Sequence, residues 1–482
     1  MGSIEGYRAV ENNFTVTVTK EEVVAAVLPL QEHWLPLSNL DLLLPPLDVG
    51  VFFCYDKPAA TGTAVVGALK KGLAEALVSF YALAGEVVTN SVDEPELLCN
   101  NRGVDFVEAE ADVELRSLDL YNPDDSIEGK LVPQKKNGVL AIQATFLRCG
   151  GIVVACSFDH RIADAYSANM FLVSWAHLAQ LSQSAKPTIS TLDSRPCFRR
   201  SLLSPRRPGV IHPSIDRMFV PVSELPPPKQ PSAESLSDPV ISRIYYITAD
   251  QLNHIQSLAN SSASNVVGDG VKRTKLESFC AFLWRMVAAS ANSKRVITKM
   301  GIVVDGRRRL SDGRDKQKAS LMGSYFGNVL SIPYGEESAR ELTGKSLSWV
   351  ADKVHEFLED ALTEEHFLGL VDWVEAHRPG GAVASIYVGG GEEGEEDESS
   401  AFVVSSGQRF PEEKVDFGWG RPVFGSYHFP WGGDAGYVMP MPSPVGKGDW
   451  VVYMHLRKGQ LEKIESEAGQ VFRPLTWDYL LH

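Results

Sequence analysis

The sequence lacks a basic excess, a long apolar run and any close pairing of cysteines, and each absence removes a class of function. Of 482 residues, 61 are Asp or Glu and 46 are Lys or Arg, for a net charge of −15. Nucleic acid is excluded as a partner on that balance, because phosphate backbones attract a basic face. No stretch approaches the ~18 or more apolar residues that cross a bilayer. The most apolar candidate, residues 40–55, is broken by Asp41, Pro45, Pro46 and Asp48. The six cysteines, Cys54, Cys99, Cys149, Cys156, Cys197 and Cys280, are scattered without CxxC spacing. Each is expected to be a reduced, buried thiol. Residues 1–16 carry charges but no apolar core, and Gly6 stands where an N-myristoylation signal needs Ser or Thr. A cytosolic protein without membrane contact is expected.

The length exceeds the ~250–300 residues at which one hydrophobic core stops growing, so two domains are expected. A proline-rich stretch, residues 186–238, holds the run Pro226-Pro227-Pro228 and the pairs Arg199-Arg200 and Arg206-Arg207. It reads as a crossover linker between domains at 1–185 and 239–482, since proline fixes φ and removes donors. In the first half, Val66, Leu69, Leu73, Leu77 and Phe80 form a helical stripe. Residues 139–146 and 152–158 read as strands joined at Cys149-Gly150-Gly151, with a helix over 164–181. In the second half, Thr248 with Gln251 and Thr274 with Glu277 have capping-box spacing. A helix over 347–358 and a strand over 450–456 follow. Residues 392–398, acidic but for Gly394, follow Gly389-Gly390-Gly391 and read as a solvated loop rather than a metal site. No metal ligand set is expected.

The chemistry concentrates in His160-Arg161-Ile162-Ala163-Asp164, which follows the apolar strand. A strand delivers His160 on rigid backbone, and imidazole is both neutral and basic near pH 7. An HxxxD pattern alone says little among eleven histidines. Far downstream stands Asp416-Phe417-Gly418-Trp419-Gly420, and three further segments lie in order: Leu37-Ser38-Asn39-Leu40-Asp41, Val304-Asp305-Gly306-Arg307 and Tyr325-Phe326-Gly327-Asn328. This ordered set resembles the plant BAHD acyltransferases, acyl-CoA-dependent enzymes that acylate alcohols and amines. The resemblance implies an α/β fold of two chloramphenicol-acetyltransferase-like domains, each a mixed β-sheet flanked by helices, with an active-site channel at their interface. It also implies acyl-CoA as co-substrate, no permanently bound cofactor, a small-molecule alcohol as acceptor, and a monomer.

On the same resemblance His160 is the general base. Cys156 lies four residues away along one strand, about 13 Å at ~3.3 Å per residue, too far to form a thiolate–imidazole pair. A ternary complex without an acyl-enzyme is therefore expected. Asp164 invites a triad reading, in which it orients His160. The resemblance implies instead that it turns away and pairs with an arginine of the other half, for which Arg285 is the expected residue. Arg285 lies about 180° round its helix from Leu276 at ~100° per residue, off the apolar face. Asp416 is expected to pair with Arg307. Trp419, between glycines, is a catalytic candidate as an indole donor to the oxyanion, or else a buried aromatic. Arg273, Thr274 and Lys275, with Lys272 before them, open a helix and are expected to hold a coenzyme A phosphate.

Acceptor preference is sought at Val49, Val51 and Phe53. The hydroxycinnamoyl-shikimate branch of the family has Thr, Ser and Tyr there, which suit a polyhydroxylated acid. Three apolar side chains suit a flat aromatic alcohol, whose burial is worth ~25 cal/mol per Å². The wording around Ser405-Ser406-Gly407-Gln408-Arg409 and Tyr427-His428-Phe429-Pro430-Trp431 resembles the coniferyl alcohol acyltransferases within the family. Acetyl transfer to an alcohol such as coniferyl alcohol is expected. The alternatives are hydroxycinnamoyl transfer to shikimate or quinate, or to another alcohol, and N-acylation of a polyamine.

Overall fold

The computed structural model describes residues 13–183, 195–225, 238–261, 272–291, 293, 295–311, 315–388, 400–446 and 448–481. The acidic run at 392–398, Gly389-Gly390-Gly391 and Pro226-Pro227-Pro228 lie outside these residues. The molecule is built on two mixed sheets. The first runs Val16–Val24, Val104–Ala111, Leu140–Leu147, Ile152–Asp159, Asp48–Tyr55 and Phe424–His428 in spatial order. Its last strand comes from the second half of the sequence and pairs antiparallel with Asp48–Tyr55, placing His428 opposite Gly50.

Every residue of Ile152–Asp159 is buried, and its apolar, partly β-branched run suits a strand covered on both faces. Gly150 makes the preceding turn at φ +85°, a conformation only glycine adopts without cost. After the strand, Asp164 caps the helix Ala165–Ser182 by accepting the Ser167 N–H at 2.9 Å. That helix packs against Gly62–Ser79 so closely that a Cβ on Gly72 would lie 2.5 Å from the Ala179 nitrogen. Trp175 Nε1 donates to the Leu69 carbonyl at 2.9 Å across the same interface.

The second sheet is ordered Leu330–Ser331, Ile297–Asp305, Ser400–Ser405, Gly436–Pro442, Trp450–Arg457, Val240–Ile247 and Arg473–Pro474, with Tyr334–Ser338 also on Ile297–Asp305. Lys275–Ala289 and Leu347–Glu359 pack together in this half. Thr274 and Glu277 close the expected capping box, and Thr248 accepts the Gln251 N–H. Each half has its own core, one around Trp175 and Phe52, the other around Trp284 and Trp373.

The expectation of a bare linker is corrected at residues 195–225. Phe219–Pro221 pairs with Ala382–Ala384, and Cys197 exchanges backbone hydrogen bonds with Ser324 and Phe326. Arg206 binds buried Asp372 at 2.7 Å and Glu365 at 2.6 Å. Pro221 only ends the short strand, so proline does not stop the stretch packing onto the second half. All six cysteines are free thiols, but Cys149 is exposed and Cys197 half-buried where buried ones were expected. No helix among the described residues is long and apolar enough to cross a membrane.

Candidate active site

The strand Ile152–Asp159 ends at a cavity of about 850 Å³ lined by both halves, and His160 is in its wall. The His160 backbone is held on both sides: its N–H donates to the Leu47 carbonyl at 2.8 Å, and its carbonyl accepts from Asn328 Nδ2 at 2.9 Å. Next to it, Arg161 grips Asp159 through two bonds at 3.0 and 2.6 Å. The imidazole meets Phe429 edge-on at 6.1 Å. Its Nδ1 is buried without a hydrogen-bond partner among the described residues.

Beneath the ring, four of the sequence motifs lock into one polar junction. Asp41 accepts Asn328 N–H and Nδ2 through one oxygen, and Ser38 N–H and Oγ through the other. Asn328 Nδ2 also reaches the Arg161 carbonyl at 3.1 Å. Asp164, 1% exposed, accepts Arg307 Nη1 at 2.7 Å and Nη2 at 3.0 Å. Arg307 donates further to Ser167 Oγ and to the Gly327 and Tyr325 carbonyls. Burial resists the Arg307 charge, yet the Asp164 and Asp305 carboxylates outweigh it and leave the guanidinium pKa raised. Gly327 adopts φ +144° there, which keeps the motif loop tight.

This network corrects two expected pairings. Asp164 takes Arg307, not Arg285, which sits half-buried on Lys275–Ala289 and makes none of these contacts. A helical wheel shows which way Arg285 does not point, whereas Arg307 follows a strand end that faces Asp164 directly. Asp416 therefore has no Arg307 to bind. It folds its own loop, accepting Gly418 and Gly420 N–H at 2.8 and 3.0 Å. The triad reading also falls, because both Asp164 oxygens are committed away from His160.

Trp419 is corrected as well. It packs against Tyr55 and Phe417 and takes no part in the cavity wall, so its indole is remote from any oxyanion formed beside His160. Of the three acceptor candidates, Val49 lines the cavity with its cross-strand neighbour Phe158. Val51 and Phe53 lie on the same strand face but farther along at ~7 Å per two residues, and are sealed in the core. The wall is completed instead by Phe410, Tyr427, Phe429, Trp431, Tyr437 and Met439. Cys156 is buried off the cavity, and burial pushes its thiol pKa up.

The basic helix start is only partly brought to the cavity. Lys272 and Thr274 line it, but Lys275 does not, and Arg273 is spent on Asp352 at 2.9–3.0 Å. The helix terminus is taken by Glu277, whose carboxylate accepts the Thr274 N–H at 2.7 Å and His355 Nδ1 at 2.6 Å. Burial resists the charge on Glu277, and the Thr274 and His355 bonds overcome it, leaving its pKa lowered. The exposed cations on the wall that sequence reasoning passed over are Arg308, Arg309 and Arg409. The run Gly306-Arg307-Arg308-Arg309 was the available signal.

The profile of the Transferase family matches residues 14–471. Shikimate O-hydroxycinnamoyltransferase of Nicotiana tabacum is 26% identical over 92% of this chain and 96% of its own. (Z)-3-hexen-1-ol acetyltransferase of Arabidopsis thaliana is 25% identical over 95% of each. Among solved structures, vinorine synthase superposes with TM-score 0.65 at 20% identity, covering 95% of this chain and 98% of that one. TRI101 of F. graminearum, complexed with Coenzyme A and Deoxynivalenol, gives 0.69 at 13%, covering 91% and 98%. With the two-sheet fold and the interlocked motifs, these matches place the chain in the Transferase family of BAHD acyltransferases, and it is an acyl-transferring enzyme.

Proposed function

We propose that this enzyme moves an acyl group, acetyl in the favoured reading, from its coenzyme A ester to the primary hydroxyl of a flat aromatic alcohol such as coniferyl alcohol. The observation that carries the proposal is His160 in the cavity wall, set beside Val49, Phe158, Phe410, Phe429 and Trp431. The neutral imidazole takes the hydroxyl proton as the alcohol oxygen bonds to the thioester carbonyl carbon. The tetrahedral intermediate then collapses, the C–S bond breaks, and the imidazolium returns the proton to the thiolate. Arg308, Arg309 and Lys272 offer cations to the phosphates, and the coenzyme A bound by the TRI101 relative supports that class of donor. The same reading has the enzyme act in the cytosol as a monomer, as the family resemblance implies.

A second reading keeps the site and changes the donor, since relatives such as the tobacco enzyme are hydroxycinnamoyltransferases. A cationic polyamine fits less well. The wall carboxylates are already engaged: Asp164 by Arg307, Asp305 by Arg307 and Arg409, Glu277 by His355. Purified enzyme is assayed with coniferyl alcohol and shikimate, each against acetyl-CoA and coumaroyl-CoA. Turnover of coniferyl alcohol with acetyl-CoA is expected, and turnover confined to shikimate with coumaroyl-CoA overturns the proposal.

A further inference from the structure

Away from the catalytic cavity, Asp124, Glu128 and His428 converge from distant parts of the sequence. One ligand atom from each lies within 4.8 Å of the other two. Asp124 belongs to the short turn Pro123–Ser126 in the first half, with Glu128 just beyond it. His428 ends the strand Phe424–His428, which the second half lends to the first sheet.

The His428 ring carries the argument. It is 3% exposed, and neither ring nitrogen has a hydrogen-bond partner among the described residues. A buried imidazole so placed forfeits about 1–3 kcal/mol for each unsatisfied group. Asp124 shows the same asymmetry. Its Oδ2 accepts the Ser242 N–H at 2.6 Å, while its Oδ1 is buried with no partner. Glu128, half-exposed, brings an oxygen to 3.5 Å from His428 Nε2, too long for a hydrogen bond. Three donors thus face one point, each with a lone pair unused and two of them buried.

We propose that Asp124, Glu128 and His428 form a binding site for a divalent transition-metal ion of the Zn²⁺ or Mn²⁺ class. Two carboxylates beside a neutral imidazole give the site two negative charges, which such an ion cancels. The imidazole favours these ions over Mg²⁺, which prefers oxygen ligands alone. Bonds to zinc of ~2.0–2.2 Å require the three atoms to draw together slightly, and the half-exposed Glu128 side chain has the freedom to do so. The Ser242 N–H fixes the Asp124 carboxylate from behind, as outer partners of metal ligands do. The ion joins the turn at Pro123–Ser126 to the borrowed strand, one residue before Phe429 in the acceptor wall.

The full-length chain is stripped with a chelating resin, dialysed against Zn²⁺, Mn²⁺ or Mg²⁺, and analysed for bound metal and melting temperature. One equivalent of Zn²⁺ or Mn²⁺, with a raised melting temperature, is expected, and neither effect from Mg²⁺. Glu128→Gln is expected to melt like the parent without metal and to lose both effects. Its affinity should fall by more than the ~10–100-fold that losing an outer partner costs. His428→Asn tests the nitrogen ligand in the same way. Retention of equal metal by Glu128→Gln assigns the ion to histidines elsewhere and overturns the proposal. So does a Glu128→Gln chain that melts lower without metal while metal changes neither protein, which identifies a plain His428–Glu128 ion pair.

Discussion

The polar junction and the cavity wall above it are a few residues apart and follow opposite rules. In the junction nearly every buried donor and acceptor is matched: the Asp164 carboxylate accepts four hydrogen bonds, the Arg307 guanidinium donates six, and the Asp41 carboxylate accepts four. In the wall, the His160 ring is among apolar side chains with Nδ1 unmatched. Groups that hold shape are matched, Asn328 Oδ1 excepted, whereas the ring suited to reacting has no hydrogen bond among the described residues holding its buried Nδ1. HxxxD therefore combines two roles in five residues, and the structure divides them between its ends.

That division can be broken from either side. The largest effect is expected from His160→Ala, which should lower turnover by ~10²–10⁴-fold. Its unfolding free energy should stay within about 1 kcal/mol of the parent by urea denaturation. Arg307→Ala leaves Asp164 charged and buried without its cation, and should cost about 3–5 kcal/mol of stability in the same measurement. Pairing it with Asp164→Asn should recover part of that loss. Asn328→Ala removes the bonds to Asp41 and to the His160 and Arg161 carbonyls, and should cost about 1–3 kcal/mol while lowering kcat. Were Asn328→Ala to leave kcat untouched, the junction would hold the fold without positioning His160.

Glu412 sharpens the contrast through pH. Burial lifts its pKa to about 8, with one oxygen unpartnered, so the folded state keeps a proton that the unfolded chain releases near pH 4–5. Stability should fall as pH rises from about 5 to 8, and Glu412→Gln should flatten that decline in thermal melts. The smallest effect is expected from Trp419→Phe. Its indole nitrogen bonds nothing among the described residues, so activity should change less than tenfold.

What the sequence revealed was mostly local. The capping box at Thr274, the helix beginning beside Asp164 and the strand before His160 depend on neighbours within a few residues, and they stand within a residue of where the spacing put them. Long-range pairings were illegible. Arg285 and Arg307 are equally plausible partners for Asp164 until the strand end at Asp305 is fixed in space. Likewise, the family resemblance picked out Val49, Val51 and Phe53, which do share one strand face, but gave no depth. The motif residues Asp41 and Asn328, and Ser167 just past the HxxxD segment, had no assigned task, because hydrogen bonding between loops leaves no period in the sequence.

The strand Phe424–His428 has a consequence for how this protein is made. Until it arrives, Asp48–Tyr55 forms a flank of the first sheet whose outward amides lack a strand partner, and seven of its eight residues are buried in the finished fold. A ribosome has by then released most of the polypeptide, so this sticky border must wait, shielded by chaperones or by its own collapse. Truncation before residue 424 should accordingly yield aggregates rather than a soluble half-enzyme.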